Sequence, residues 1–180
     1  MGKLVLGVLL WTFAHWFKRL APGARAAMGN AGKGVVAVLS IFAIWLMVQG
    51  YREAEVVPLW DLGAMGRGLN NILMVAAVVL LGAGHSKSRL RGKIRHPMLW
   101  SAVLWSIAHL LANGDLASLV LFGGIGLWAL GSMVLINRAE PDDQPYTDGT
   151  VQGDIRLAVI SVVVFAVIVG IHMWIGPSPF

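Results

Sequence analysis

The sequence predicts an all-α, polytopic integral membrane protein, a bundle of about six transmembrane helices with both termini outside. Composition is the first observation: the 180 residues are 57% hydrophobic and 13% charged, and the mean hydropathy is +0.74. A soluble domain does not have these values. The second observation is that apolar stretches recur at about the ~20 residues that a helix needs to cross a membrane. They lie at about 3–20, 34–51, 66–84, 97–113, 116–136 and 155–175.

Residues at the ends of these stretches fit helix boundaries. Lys18 and Arg19 come directly after the first apolar run. Basic residues there disfavour export of the downstream chain, so the first helix is predicted to stay attached rather than be cleaved as a signal peptide. Pro97 suits the first turn of the fourth helix, where a missing N–H costs nothing. Asp115 is predicted to cap the fifth helix.

The orientation is predicted from the basic residues. The connections between helices 1 and 2 and between helices 3 and 4 hold nine Lys/Arg and no acidic residue, so both are predicted to face the cytoplasm. The opposite side mixes Lys3, Arg52 and Arg67 with acids, which places both termini outside. By parity the 137–154 connection is cytoplasmic. Its five acidic residues and two prolines are typical of a solvated, flexible connection.

Charge and cysteine content limit the partners and cofactors. The net charge of +5 comes from residues that flank apolar stretches, so it indicates topology and contact with the lipid bilayer rather than with nucleic acid. The chain has no cysteine, which excludes disulfides, thiolate metal sites, iron–sulfur clusters and covalent c-type haem. Histidines, carboxylates and backbone atoms remain as ligands.

Two histidines fall inside predicted helices, where ionisable side chains are costly and therefore informative. His15 lies in the first helix and His109 in the fourth. No acidic residue lies in the middle of any predicted span, which argues against a carboxylate proton relay and a di-iron carboxylate centre. The histidines also lack the paired spacing of zinc proteases.

The two histidines share a local pattern, W-[ST]-x-A-H. Trp11 precedes His15 by four residues, and Trp105 precedes His109 by the same spacing, so each Trp shares a helix face with its His. Two neutral imidazoles from different helices are what a low-spin b-type haem needs. The alternatives are a chance match, and two buried histidines that hydrogen-bond to neighbouring helices.

His96 is the competing ligand. Pro97 is predicted to hold it near the inner end of the fourth helix, which is closer in membrane depth to His15 than His109 is. The sequence therefore predicts that the cofactor-binding residues are Trp11, His15, His96, Trp105 and His109. Of these, His15 and His109 are the predicted metal ligands.

Several motifs resemble those of a known family. They are Ala21-Pro22-Gly23, Arg95-His96-Pro97, Trp105, Ala108-His109-Leu110-Leu111-Ala112-Asn113-Gly114-Asp115 and Leu121-Phe122-Gly123. On these residues the chain resembles the NnrU family of bacterial membrane proteins, whose wider group includes the plant and cyanobacterial 15-cis-zeta-carotene isomerase. The resemblance covers most of the chain, so residues 1–180 are predicted to form a single NnrU-like transmembrane domain.

The resemblance implies a link to denitrification and nitrogen-oxide metabolism. In the isomerase branch histidines hold a b-type haem, and the matching positions here are His15 and His109. Two departures stand out. Trp16-Phe17 comes after His15 where the isomerase has Ser-Gly, and would either crowd a porphyrin or pack on its face. Trp128 lies near the place of a further isomerase histidine.

Three functions fit these residues. The first is a b-type haem protein of the bacterial inner membrane, with a redox or small-molecule role in nitrogen-oxide metabolism and with other membrane proteins of that metabolism as partners. The second is a cofactor-free membrane protein for assembly or partner binding. The third is a polyene isomerase resembling the zeta-carotene enzyme.

Overall fold

The computed structural model describes residues 1–142 and 144–176. The fold is all-helical, with 78% helix and no strand in the described part of the chain. A π-helical turn, Leu119–Gly123, is named the π segment. The helices in chain order are α1 (Gly2–Leu20), α2 (Pro22–Ala27), α3 (Ala31–Arg52), α4 (Gly63–Ala83), α5 (Leu90–Lys93), α6 (Pro97–Ala112), α7 (Leu116–Ser118), α8 (Gly124–Ala139) and α9 (Val151–Ile175).

Four helical stretches among the described residues are long and apolar enough to cross a membrane: α3, α4, the continuous stretch Leu116–Ala139, and α9. The protein is therefore a helical membrane protein by the length and composition of its helices. The other two predicted spans are helical but less suited to crossing. Helix α6 has 16 residues, and α1 carries Lys3, Lys18 and Arg19 near its ends. The count of six spans and the outside location of the termini stay predictions, and residues 177–180 lie outside the described part.

The chain divides into two compact units. The first unit contains residues 1–60 and 114–141, and within it α1 packs along α3 through small residues. Gly50 lies against the backbone of Leu4, and Gly7 lies against Met47 and the carbonyl oxygen of Ala43. Glycine at these positions allows the two helix backbones to approach closely.

A hydrogen-bonded cap starts the last helical stretch of the first unit and confirms the prediction for Asp115. Its carboxylate accepts bonds from the backbone N–H of Ser118 at 2.9 Å and from the Ser118 hydroxyl at 2.6 Å. The Tyr51 hydroxyl lies 2.7 Å from Ser118 Oγ. Directly after the cap lies the π segment, a type of distortion that is frequent near functional sites.

The second unit contains residues 61–113 and the described residues after 141, with α4, α5, α6 and α9. Helices α4 and α6 are joined by a buried hydrogen bond, in which the Ser101 hydroxyl donates to the Ala77 carbonyl oxygen at 2.7 Å. Pro97 lies in the first turn of α6, as predicted. Gly66 lies against the carbonyl group of Leu111.

The connection between α8 and α9 is shorter than the predicted 137–154, since α8 ends at Ala139 and α9 begins at Val151. Part of it is also held in place. The Thr150 N–H donates to the Lys87 carbonyl oxygen at 2.9 Å, and the Arg91 guanidinium lies 4.3 Å from the centre of the Tyr146 ring. Asp143, one of the five acidic residues in the predicted 137–154 connection, lies outside the described residues.

Candidate functional site

His15 lies in the second half of α1, half-buried, with a defined ring orientation. Its Nδ1 is 2.8 Å from the carbonyl oxygen of Trp11, one turn earlier. Since a carbonyl oxygen can only accept, Nδ1 carries a proton, and in the neutral form of the ring the lone pair is on Nε2. A histidine held in this way is suited to bind a metal through Nε2.

Two tryptophan rings contact the imidazole of His15. The Trp11 ring, on the same helix, has its centroid 4.0 Å away. The Trp128 ring comes from α8 and lies edge-on at 5.2 Å. The two indoles also contact each other, with centroids 5.4 Å apart and planes at 77°. His15 therefore lies in an aromatic cluster, defined here as Trp11, His15 and Trp128, within the first unit.

Both indoles of this cluster carry an unsatisfied donor. The Nε1 atoms of Trp11 and Trp128 are buried and have no hydrogen-bond partner among the described residues. A buried donor without an acceptor costs about 1–3 kcal/mol, so such groups are uncommon in folded proteins. Two of them around one histidine suit a ligand that brings its own acceptor atoms.

Trp16 packs against α8. Its Nε1 donates to the Ser132 hydroxyl at 2.8 Å, and its ring lies where Gly131 leaves room for it. Phe17 contacts Phe13 on its own helix, with ring centroids 5.7 Å apart. The bulky pair that replaces Ser-Gly of the isomerase thus has identified packing partners in the first unit.

His109 lies in the last turn of α6, in the second unit, and repeats the arrangement of His15. Its Nδ1 is 2.9 Å from the Trp105 carbonyl oxygen, and the two ring centroids are 4.8 Å apart. His172 in α9 makes the same bond to the Ile168 carbonyl oxygen at 2.8 Å. The hydrogen bond alone is therefore not diagnostic, and what sets His15 and His109 apart is the tryptophan one turn earlier.

His96 immediately precedes α6, and its carbonyl oxygen accepts the first bond of the helix from Trp100. His96 and His109 are 13 positions apart on one helix, which corresponds to about 20 Å along the axis. They mark opposite ends of α6, so a single iron has only one of them as a ligand.

The structure brings each predicted tryptophan next to its histidine, but it assigns His15 to the first unit and both His96 and His109 to the second. The sharing of one iron by His15 and His109 stays a prediction. Over residues 1–142 and 144–176, no three His, Cys, Asp or Glu side chains are grouped so as to hold a metal ion. A haem does not need such a group, because the porphyrin supplies the equatorial nitrogens.

Trp128 is the residue whose role the sequence did not predict. The sequence marked it only as a departure from the isomerase pattern, and its contact with His15 depends on how α8 packs on α1. The available signal was its location near the position of an isomerase histidine, which indicated proximity to the site.

Comparisons with known proteins agree with the motifs. The family profile described as "NnrU protein" matches residues 3–179, nearly the whole chain. Curated proteins and solved structures gave no match. On the extent of the profile match, this chain belongs to the NnrU family.

Proposed function

We propose that the protein is a b-type haem protein of the bacterial inner membrane in which His15 is an axial ligand of the iron. The observation that carries the proposal is the aromatic cluster, in which the rings of Trp11 and Trp128 contact the His15 imidazole and both indole N–H groups are buried without an acceptor among the described residues. The hydrogen bond to the Trp11 carbonyl oxygen is made by Nδ1, so in the neutral ring the lone pair is on Nε2, the atom that would bind iron. Family membership and the apolar helices support the membrane setting.

The aromatic cluster supports the choice of ligand. The ring faces of Trp11 and Trp128 offer apolar surface of the kind that packs against a porphyrin, and their buried N–H groups suit acceptor atoms on a bound molecule. Trp16 has partners of its own, since its Nε1 is hydrogen-bonded to the Ser132 hydroxyl and its ring lies against Gly131. The residues around His15 therefore fit a haem.

His109 is the second axial ligand that the sequence predicts, and its bond to the Trp105 carbonyl oxygen favours the same tautomer. When bound, haem supplies one-electron chemistry or, with one axial position open, binding of a small nitrogen oxide. The link to denitrification, and to other membrane proteins of nitrogen-oxide metabolism as partners, is part of the proposal and comes from the family resemblance.

The test is the absorption spectrum of the full-length protein, purified in detergent from cells supplied with haem precursor. We expect a Soret band, a low-spin visible spectrum, and a pyridine haemochrome of b type. The matched control is His172→Ala, which removes a histidine with the same backbone bond but no tryptophan one turn earlier. If the wild-type protein contains no haem, the proposal is wrong and the assembly or partner-binding function takes its place.

A further inference from the structure

A groove of about 540 Å³ lies in the second unit, away from the aromatic cluster. It is bordered by α4, by α5 with the residue before it, and by α9. Its polar lining consists of Arg89, Lys93 and Asp154, and its apolar lining includes Val79, Leu157 and Ala158.

The polar and apolar parts of this groove are separated along the helix axes. Asp154 is in the first turn of α9, and Leu157 and Ala158 are about one turn further on, ~5 Å deeper along the helix. Val79 lies one turn before Ala83, where α4 ends. Because α4 and α9 are both candidate spans, the groove is charged at the ends of the spans and apolar towards their middle. This is the polarity of a phospholipid.

The charges of the groove favour an anion. Arg89 uses its backbone N–H and its Nε to bind the Asp154 carboxylate, at 2.8 Å and 2.6 Å. Lys93 is exposed and makes no ion pair or hydrogen bond within residues 1–142 and 144–176. Arg89 and Lys93 against Asp154 give the lining a net charge of one positive unit. This charge complements the phosphodiester of a lipid whose headgroup carries no ammonium group.

We propose that this groove binds an anionic phospholipid. Its phosphate contacts Lys93 and the terminal nitrogens of Arg89, and the first part of an acyl chain lies against Val79, Leu157 and Ala158. The small side chain of Ala158 leaves the room that the chain needs. The apolar half of the groove favours a lipid over free phosphate, and the net charge favours phosphatidylglycerol over phosphatidylcholine.

The experiment is native mass spectrometry of the full-length protein, titrated with phosphatidylglycerol or with phosphatidylcholine of the same acyl chains. We expect phosphatidylglycerol to bind more tightly. Lys93→Gln should weaken phosphatidylglycerol binding about fivefold, the usual effect of one cation near a membrane surface. It should weaken phosphatidylcholine binding less, because the choline ammonium offsets the charge of the phosphate. The matched control is Lys33→Gln, which removes another exposed lysine, from the first unit.

A second variant tests the apolar half. Ala158→Trp fills the apolar half of the groove and should weaken the binding of both lipids. If circular dichroism shows that this variant does not fold, Ala158→Leu is used in its place. If Lys33→Gln and Lys93→Gln weakened phosphatidylglycerol binding equally, the lipid would be held by diffuse surface charge and the proposal would be overturned. A free-anion site would be indicated instead if inorganic phosphate displaced phosphatidylglycerol and neither Ala158→Trp nor Ala158→Leu changed lipid binding. That result would overturn the proposal.

Discussion

The indole of Trp128 meets the imidazole of His15 edge-on, with ring centroids 5.2 Å apart and planes at 71°. An indole N–H donates a hydrogen bond but offers no lone pair to a metal. Trp128 lies near the place of a further histidine in the isomerase pattern that the sequence resembles, so this chain has a hydrogen-bond donor there instead of a possible ligand. We therefore expect haem to depend on fewer histidines here, and polyene isomerase activity to be the least expected of the three functions.

The first prediction concerns the two proposed iron ligands. His15→Ala and His109→Ala should each abolish haem binding or convert the haem to high spin, because no cysteine is available to replace the lost nitrogen. His172→Ala should retain the wild-type spectrum. Absorption and electron paramagnetic resonance spectra of the three purified variants give the comparison.

His96→Ala separates the two candidates for the second ligand. If low-spin haem survives His109→Ala and disappears in His96→Ala, the second ligand is His96. Since the two residues are at opposite ends of α6, a mixed result with partial loss in both would contradict a single bis-histidine iron.

The second prediction concerns the unsatisfied indole donors. Trp11→Phe keeps an aromatic ring and removes a buried N–H that has no acceptor among the described residues. Without haem, its free energy of unfolding should be unchanged or raised by up to about 1 kcal/mol. Haem affinity should fall about fivefold if the N–H bonds to the ligand. Thermal unfolding and haem titration in detergent measure the two effects.

Trp16→Phe is the matched control for this experiment. It loses the formed bond to Ser132 and should lower the free energy of unfolding by about 1 kcal/mol whether or not haem is present. Equal destabilisation of haem-free Trp11→Phe and Trp16→Phe would show that the Trp11 donor is already satisfied in solution.

Helix ends were predictable where local chemistry determines them. Pro97 and Asp115 fixed the starts of α6 and of the stretch after it. The start of α9 was missed by four residues, because Asp154 made the first turn look like part of the connection, although Thr150 caps the helix through the Gly153 N–H at 2.9 Å.

Helix packing was not predictable in the same way. In a membrane every face of a span is apolar, so the sequence carries little periodicity to show which face meets a neighbour. Helix α9 packs least on the rest of the protein among the four long apolar helices, with only 6% of its most apolar 18-residue stretch buried. The approach of Trp128 to His15, which completes the aromatic cluster, depends on such packing.

The third prediction tests the close approach of α1 and α3. A Cβ on Gly50 would meet the backbone of Leu4, with Leu4 Cα at 2.7 Å. Gly50→Ala should therefore lower the free energy of unfolding by about 1–3 kcal/mol. Gly34→Ala, in the same helix with nothing within 4 Å, should be neutral or stabilising by up to ~1 kcal/mol. Unfolding in sodium dodecyl sulfate, followed by circular dichroism, compares the two, and equal effects would contradict the contact.

The fourth prediction concerns the cap at Asp115. Asp115→Ala removes the acceptor of both Ser118 hydrogen bonds. It should lower the free energy of unfolding by about 1–2 kcal/mol. Asp115→Asn keeps one carbonyl acceptor and should cost less. Tyr51→Phe loses only the outer bond to Ser118, so it should cost about 1 kcal/mol. The same detergent unfolding assay ranks the three variants, and a larger loss for Tyr51→Phe than for Asp115→Ala would refute this order.

The fifth prediction is the topology, with residues 85–96 and 137–154 in the cytoplasm and both termini outside. Its physical basis is the nine basic residues of the first two inner connections. Fusions of alkaline phosphatase and of green fluorescent protein after Arg91 and after Phe180, the latter outside the described residues, report the side of each position. We expect cytoplasmic fluorescence at Arg91 and phosphatase activity at Phe180.

The same fusions test the two weaker spans separately. Helix α6 has 16 residues, about 24 Å of helix against a hydrocarbon core of ~30 Å. If α6 crosses, three spans separate Arg91 from Phe180 and the two positions lie on opposite sides; if it does not, they lie on the same side. A further fusion at the N-terminus does the same for α1, since three crossings before Arg91 require opposite sides and two require the same side. Cytoplasmic fluorescence at Phe180 together with Arg91 would therefore overturn the six-span topology and identify α6 as the helix that does not cross.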